Sequence, residues 1–249
     1  TIHCRVLAYR ELIWHAHFND VIKSKLLAFA TGSDLDHIGV WPYGVERLQN
    51  ETDESFRNRI QSAPEGLSTA GSRGSYIWHA LAVDSNILDV SLQTPSFQRS
   101  AIPDDLVNRF PANSFVLKER NNVGVQNAMP GHLAVNLLFK KNVSEEIKLD
   151  IISKTQSALN ADDVRPINDI PIVREGKVNK YIVDARYELD SGAAAEVILN
   201  QAKVDGFAYV NSVFKLGEPV AIGGLYDALW QPGFKRLVII NPSSDIINS

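Results

Sequence analysis

The chain has 249 residues, 45% hydrophobic and 22% charged, a balance that supports one large or two modest folded domains and excludes a disordered polar chain. Its formal net charge is -4 and it has no basic run to meet a phosphate backbone, so nucleic acid is not an expected partner. Cys4 stands alone and no apolar stretch reaches the roughly 20 residues that cross a bilayer, so the reading is a chain that matures in a reducing cytoplasm without membrane insertion.

The chain opens on Thr1 without a signal-like apolar segment and contains one methionine, Met129, so the coded protein is expected to begin upstream. Leu12, Ala16, Ile22, Leu26 and Phe29 recur at threes and fours and predict a helix over 8–29, with Lys23 and Lys25 toward its negative end and Thr31-Gly32 as its stop. Asp53 and Glu54 mark the start of a short amphipathic helix carrying Phe56 and Ile60 one turn apart. The Ser/Gly-rich run 68–72 can cap a third helix over 74–83, with Ile77, Ala80 and Leu81 on its apolar face.

Residues 87–92 read as a strand, whereas 94–130 carry prolines and asparagines without a period, which predicts an irregular insertion, mobile or built for contact. Over 132–140, Leu133, Val135, Leu137 and Phe139 alternate with less apolar neighbours as in a half-buried strand. Ser144 followed by Glu145 and Glu146 starts a helix to about 159, which Asn160 closes. Runs 170–174 and 178–189 flank Glu175-Gly176-Lys177 and predict a hairpin with Tyr181, Val183, Ala185, Tyr187 and Leu189 on one face. After Gly192 comes a helical segment toward 213, then a break at Gly217, a shorter helix over 224–229 and a strand over 235–240. The expected class is therefore α+β: an N-terminal helical region (1–86), a strand with an irregular insertion (87–131), and a ferredoxin-like split β-α-β domain (132–249).

Four sets of residues invite a chemical reading. His3, Cys4, His15 and His17 are metal-ligand types, but helical residues two apart do not share a face. The Gly/Ser run 68–75 lacks the spacing of a phosphate loop, and Ser75 with His79 has no acid as third member. Asp162, Asp163 and Asp169 surround Arg165 in a loop, where an arginine fork holding carboxylates or carbonyls is the simpler role. No catalytic, cofactor-binding or metal residue is assigned, no cofactor or small-molecule substrate is expected, and the chain reads as no enzyme.

The order of certain segments resembles a known family. Thr31-Gly32-Ser33-Asp34-Leu35-Asp36, Gly44-Val45-Glu46-Arg47-Leu48 and the run from Glu51 to Ile60 are similar to the hallmark stretch of J-type baseplate proteins of contractile-tailed phages. Ser68 to Ser72, Tyr76, His79-Ala80-Leu81, Asp89-Val90 and Pro130-Gly131 continue the pattern. Asp163-Val164-Arg165-Pro166 with Asp169, Gly217 with Val220, and Ala228-Leu229 with Gly233 complete it, so the resemblance spans 26–246.

The resemblance implies a structural wedge subunit of the baseplate that joins wedges into the inner ring during tail assembly, made in the host cytoplasm and ending in the virion tail. Implied partners are a second copy of the chain, the small wedge protein that links to the sheath, and the wedge protein toward the tail fibres. Leu26, Leu27 and Phe29 are the expected protein-interaction residues, and a helix or sheet edge of the C-terminal unit is a second docking expectation. Ferredoxin-like units also sense ligands, so a small-molecule-binding regulatory domain is the alternative, distinguished by metabolic rather than tail genes as neighbours. A hydrolase using Ser75 and His79 is a more remote one.

Overall fold

The computed structural model describes residues 2–68, 71–111, 113–189 and 195–247. Thr1, Thr69 and Ala70 of the expected capping run, and Gly192 ahead of the expected C-terminal helix lie outside these. The architecture is α+β, with helices first and small sheets after them.

The first helix, α1 (Ile2–Ser24), begins six residues earlier than its periodicity suggested and ends five earlier, so that 25–30 form turns rather than helix. None of its residues is buried. Thr31-Gly32 does not terminate the helical region: α2 (Gly32–Val40) starts there. Gly32 has φ +52, a left-handed backbone that glycine adopts at no steric cost, so it turns the chain into a new helix instead of breaking off the old one.

The next two helices follow their caps. Thr52 accepts the Ser55 N–H ahead of α3 (Asp53–Gly66), whose first turn carries Asp53 and Glu54, and Ser72 accepts the Ser75 N–H ahead of α4 (Arg73–Leu81). Phe56, Ile60 and Ala63 of α3 pack with Ala30, Leu35 and Val45 into a first core, which Leu27 and Trp78 join from its margin.

The second core lies under a three-stranded sheet. Strand β1 (Ile87–Gln93) is followed by β2 (Ser96–Ser100) and β3 (Val116–Asn121), then β4 (His132–Phe139), α5 (Glu145–Leu159) and β5 (Ile170–Glu175). The sheet order is β1-β4-β5, antiparallel at the first seam and parallel at the second. Tyr76 and Ala80 of α4 and Ile151 and Leu159 of α5 bury Val90, Leu92, Val135, Leu137 and Val173 on one face. The alternation expected of a half-buried β4 is not observed, since Ala134 to Phe139 are all buried. A central strand covered on both faces needs an almost continuous apolar run, and Leu133 to Phe139 is one.

Segment 94–130, read as irregular, carries the β2-β3 hairpin with Arg99 stacked 4.0 Å over the Phe115 ring. The hairpin expected across 175–177 does not form. Gly176 instead extends the parallel ladder by donating to the Leu137 carbonyl at 2.8 Å, and β6 (Asp184–Leu189) pairs antiparallel with β7 (Phe234–Asn241). The ferredoxin-like element order is therefore present along the chain, but among the described residues its strands divide between separate sheets.

Helices α6 (Ala195–Ser212), through Tyr209 and Val210, and α7 (Ile222–Leu229), through Leu225 and Leu229, pack with Val220 on Leu237 and Ile239 of β7. This C-terminal unit meets the second core where the Leu216 N–H donates to Asp89 Oδ2 at 2.8 Å and Lys141 Nζ donates to Asn211 at 2.8 Å. A side chain on Gly176 would put its Cβ 2.7 Å from the end of the Leu216 side chain, so the two segments pass closely there and Leu216 would have to shift.

Candidate interaction surface

A helix that buries nothing within its own chain needs an anchor, and the residues after α1 build one. Arg57 on α3 reaches back to the turn that ends α1, donating to the carbonyls of Leu27 at 2.8 Å and Ala30 at 2.7 Å. Asp53 Oδ2 accepts the Gly32 N–H at 3.0 Å, holding the next bend of the chain. Arg47 lies between two acids, 2.6 Å from Asp36 and 2.8 Å from Asp53, and donates to the Glu51 carbonyl at 3.1 Å. Beneath it Glu51 and Arg59 form a buried, two-pronged pair at 2.9 and 2.8 Å, with Arg59 also holding the Glu46 carbonyl. The Phe56 ring takes both guanidiniums, Arg47 at 4.6 Å and Arg59 at 5.4 Å from its centroid.

Electrostatics follows from this packing. The Gly32 N–H, opposed by desolvation but aided by Arg47 and Arg57, holds the Asp53 carboxyl below its usual range. Burial works against the Arg47 charge, yet hydrogen bonds and attraction from Asp36 and Asp53 outweigh it and raise its pKa. The result is a charged, interlocked socket whose contacts join residues 4 to 30 apart in sequence.

Out of this socket projects α1, with large apolar side chains on its whole circumference, among them Leu7, Tyr9, Leu12, Trp14 and Phe18, all exposed. Charged side chains such as Arg5, Arg10, Glu11, Asp20 and Lys23 lie between them, yet so many large apolar groups left in solvent mark a contact surface. The three residues expected to make contacts separate. Leu26 and Phe29 are 48% and 59% exposed in the turns after α1, whereas Leu27 points inward against the first core.

The other residues singled out in the sequence have local roles. His3, Cys4, His15 and His17 lie exposed along α1, and His15 faces Glu11 one turn before it at 3.9 Å. No cluster of three His, Cys, Asp or Glu side chains placed for a metal occurs among the described residues. Ser75 is buried, and the His79 ring is turned to the Gly66 carbonyl at 3.2 Å and edge-on to Trp78. Arg165 donates to the Asp169 carbonyl at 3.0 Å, fixing the connection as its position suggested. Sequence reading missed that Asp169 also accepts the Tyr76 hydroxyl at 2.9 Å, 93 residues away. Burial, then this bond, pushes the Tyr76 pKa well above the usual tyrosine value. No described helix is long and apolar enough to cross a membrane.

The model of the baseplate J-like N-terminal domain matches residues 1–53, which hold α1, α2 and the Asp36, Arg47 and Asp53 corner of the socket. Baseplate protein J of Escherichia phage P2 is 30% identical over 257 residues, an alignment that takes in 96% of this chain and 73% of that protein. The chain belongs to the baseplate J family. It is accordingly a structural protein of a phage tail baseplate, located in the virion tail. In this member of the family the hallmark letters Asp36, Arg47, Glu51, Asp53, Phe56, Arg57 and Arg59 form the socket that joins α1 to the first core.

Proposed function

We propose that this baseplate J protein is a wedge subunit that joins neighbouring wedges into the inner ring of a contractile tail, pairing with a second copy and with other wedge proteins during assembly in the host cytoplasm. The observation that carries this reading is α1. Its 23 residues make a rod about 34 Å long at ~1.5 Å per residue, anchored at one end, with no residue buried by its own chain. Apolar side chains on all sides call for cover from more than one direction, which a bundle with a second copy and a further partner supplies and a single docking groove does not. Leu26 and Phe29 extend the same surface past the helix end.

The test is co-expression of the full-length gene with its neighbouring tail genes and measurement of the mass of the purified complex, beside a variant carrying Leu12→Asp and Trp14→Asp. The expected result is a complex with more than one copy of this chain and a wedge partner, lost in the variant. A chain that stays alone with every tail partner, or a variant that assembles as well as the parent, overturns the reading.

A further inference from the structure

We propose that the three-stranded sheet carries side-chain guards on both open edges, Gln156 with Pro171 on β5 and Asp89 with Arg73 on β1, which block its extension by a strand from a second copy of the chain. The direction of each main-chain group follows from the ladder. Ile170 donates to the Gly131 carbonyl at 2.7 Å and Gly176 to the Leu137 carbonyl at 2.8 Å. Even-numbered residues of β5 therefore face β4, and 171 and 173 present their main-chain groups to the open side. There the Gln156 amide, reaching round from α5, imitates one residue of a missing strand. Its Nε2 donates to the Pro171 carbonyl at 2.7 Å and its Oε1 accepts the Val173 N–H at 2.9 Å. Pro171 has no N–H to offer in any case, the usual place for proline in a sheet being an edge.

The β1 edge is closed by different chemistry. Val90 stands opposite Leu137 and Leu92 opposite Val135. Because Leu137 spends its carbonyl on β5, Val90 and Leu92 turn away from β4. The outward Val90 N–H is taken by Asp89 Oδ1 at 2.9 Å and the outward Leu92 carbonyl by Arg73 at 2.7 Å. The second oxygen of Asp89 accepts the Leu216 N–H, so this guard also ties the C-terminal unit to the sheet.

An incoming strand binds through such N–H and C=O pairs, and each guard occupies them with a group from its own chain. For a chain whose copies are held close together, an unguarded edge would compete with the intended contacts.

The experiment uses the full chain with Cys4→Ser and Ile172→Cys, so that one thiol reports on the β5 edge, with and without Gln156→Leu plus Pro171→Val. Treatment with a short bis-maleimide should crosslink the unguarded variant at least tenfold more than the guarded parent, and its sedimentation should show a concentration-dependent gain in mass. Equal crosslinking in two proteins with the same circular dichroism overturns the proposal, as does a guarded parent that crosslinks readily. If the double variant does not fold, the decision passes to Arg73→Met, a change at an exposed side chain, with Gln93→Cys as reporter on β1. There a tenfold rise over the Arg73 parent supports the guards and its absence overturns them.

Discussion

The Arg57 guanidinium donates to the Leu27 carbonyl at 2.8 Å and, with its other arm, to the Ala30 carbonyl at 2.7 Å, joining α3 to the turn that ends α1. Those carbonyls lie past the helix end, where a fixed planar fork satisfies two acceptors at once and a lysine satisfies one. Arg57→Lys should lower stability by about 2 kcal/mol, the scale of charged hydrogen bonds. In hydrogen exchange the amides of 25–31 should lose protection while those of α5 keep theirs. A uniform change across both segments would mean that Arg57 supports the whole fold rather than the root of α1.

Glu51 and Arg59 are both buried, and each completes the other. Glu51→Gln leaves the Arg59 charge enclosed and should cost about 3–5 kcal/mol in urea unfolding, whereas Glu51→Gln with Arg59→Met should lose clearly less than the sum of the single changes. Additive losses in this double-mutant cycle would show that the pair does not act as a unit.

The Asp53 carboxyl, depressed chiefly by the Gly32 N–H, contributes stability in full above the unfolded carboxylate value of about 3.9. That contribution disappears as the pH falls through the lower folded value. Urea midpoints of the parent and Asp53→Asn should therefore differ most near neutrality and converge as the pH falls through the lower folded value. Parallel curves over that range would exclude Asp53 as a titrating support of the socket.

What the sequence disclosed and what it hid divide along physical lines. The caps at Thr52, Ser72 and Ser144 are local chemistry, and the helices they open stand where their letters place them. The start of α2 was hidden because Gly32 ordinarily signals an end, and only its φ of +52 reveals a turn between helices. The parallel β4-β5 pairing was legible in principle: Ala134 and Leu138, apolar on the off-beat of the alternation, announce a strand covered on both faces. The family pattern could be read from Asp36, Arg47 and the run 51–60, but not what these residues do. Arg47 meets Asp36 across eleven residues and Arg57 meets Leu27 across thirty, and no spacing rule anticipates such pairs. The grouping of Leu26, Leu27 and Phe29 as one contact surface rests on the expectation that α1 continues to 29, and with its end at Ser24 they lie in turns that point them apart.

Gly39 lies inside α2, where alanine would ordinarily stabilise a helix by about 1 kcal/mol. Here a Cβ would sit 2.5 Å from the Phe56 ring and 2.8 Å from the Val45 carbonyl. The backbone has little room to retreat, since the Val45 N–H is bonded to the Gly39 carbonyl at 2.9 Å. Overpacking of about 1–3 kcal/mol should outweigh the propensity gain, so Gly39→Ala lowers the thermal midpoint. Phe56→Leu costs stability by itself, but because it removes the ring atoms in the way the double variant should lose less than the sum of the two single changes. A Gly39→Ala variant more stable than the parent would mean that α2 moves on the first core freely.

Leu26 and Leu27 are adjacent in sequence but differ in what surrounds them, and this separates assembly from folding. Leu27 is half-buried against the core formed by Ala30, Leu35 and Phe56, so Leu27→Asp loses that apolar packing and sets a carboxylate against it, which should destabilise the isolated chain by about 2 kcal/mol. Leu26 and Phe29 already meet solvent, so Leu26→Asp and Phe29→Asp should leave the unfolding midpoint of the isolated chain within about 0.5 kcal/mol of the parent. If the turn after α1 belongs to the contact surface, the same two changes should nonetheless reduce recovery of the multi-copy complex from co-expression. Unfolding of purified chains and the mass of co-purified complexes read the two effects separately. Loss of complex with Leu27→Asp alone would assign the turn to folding and leave α1 as the contact element.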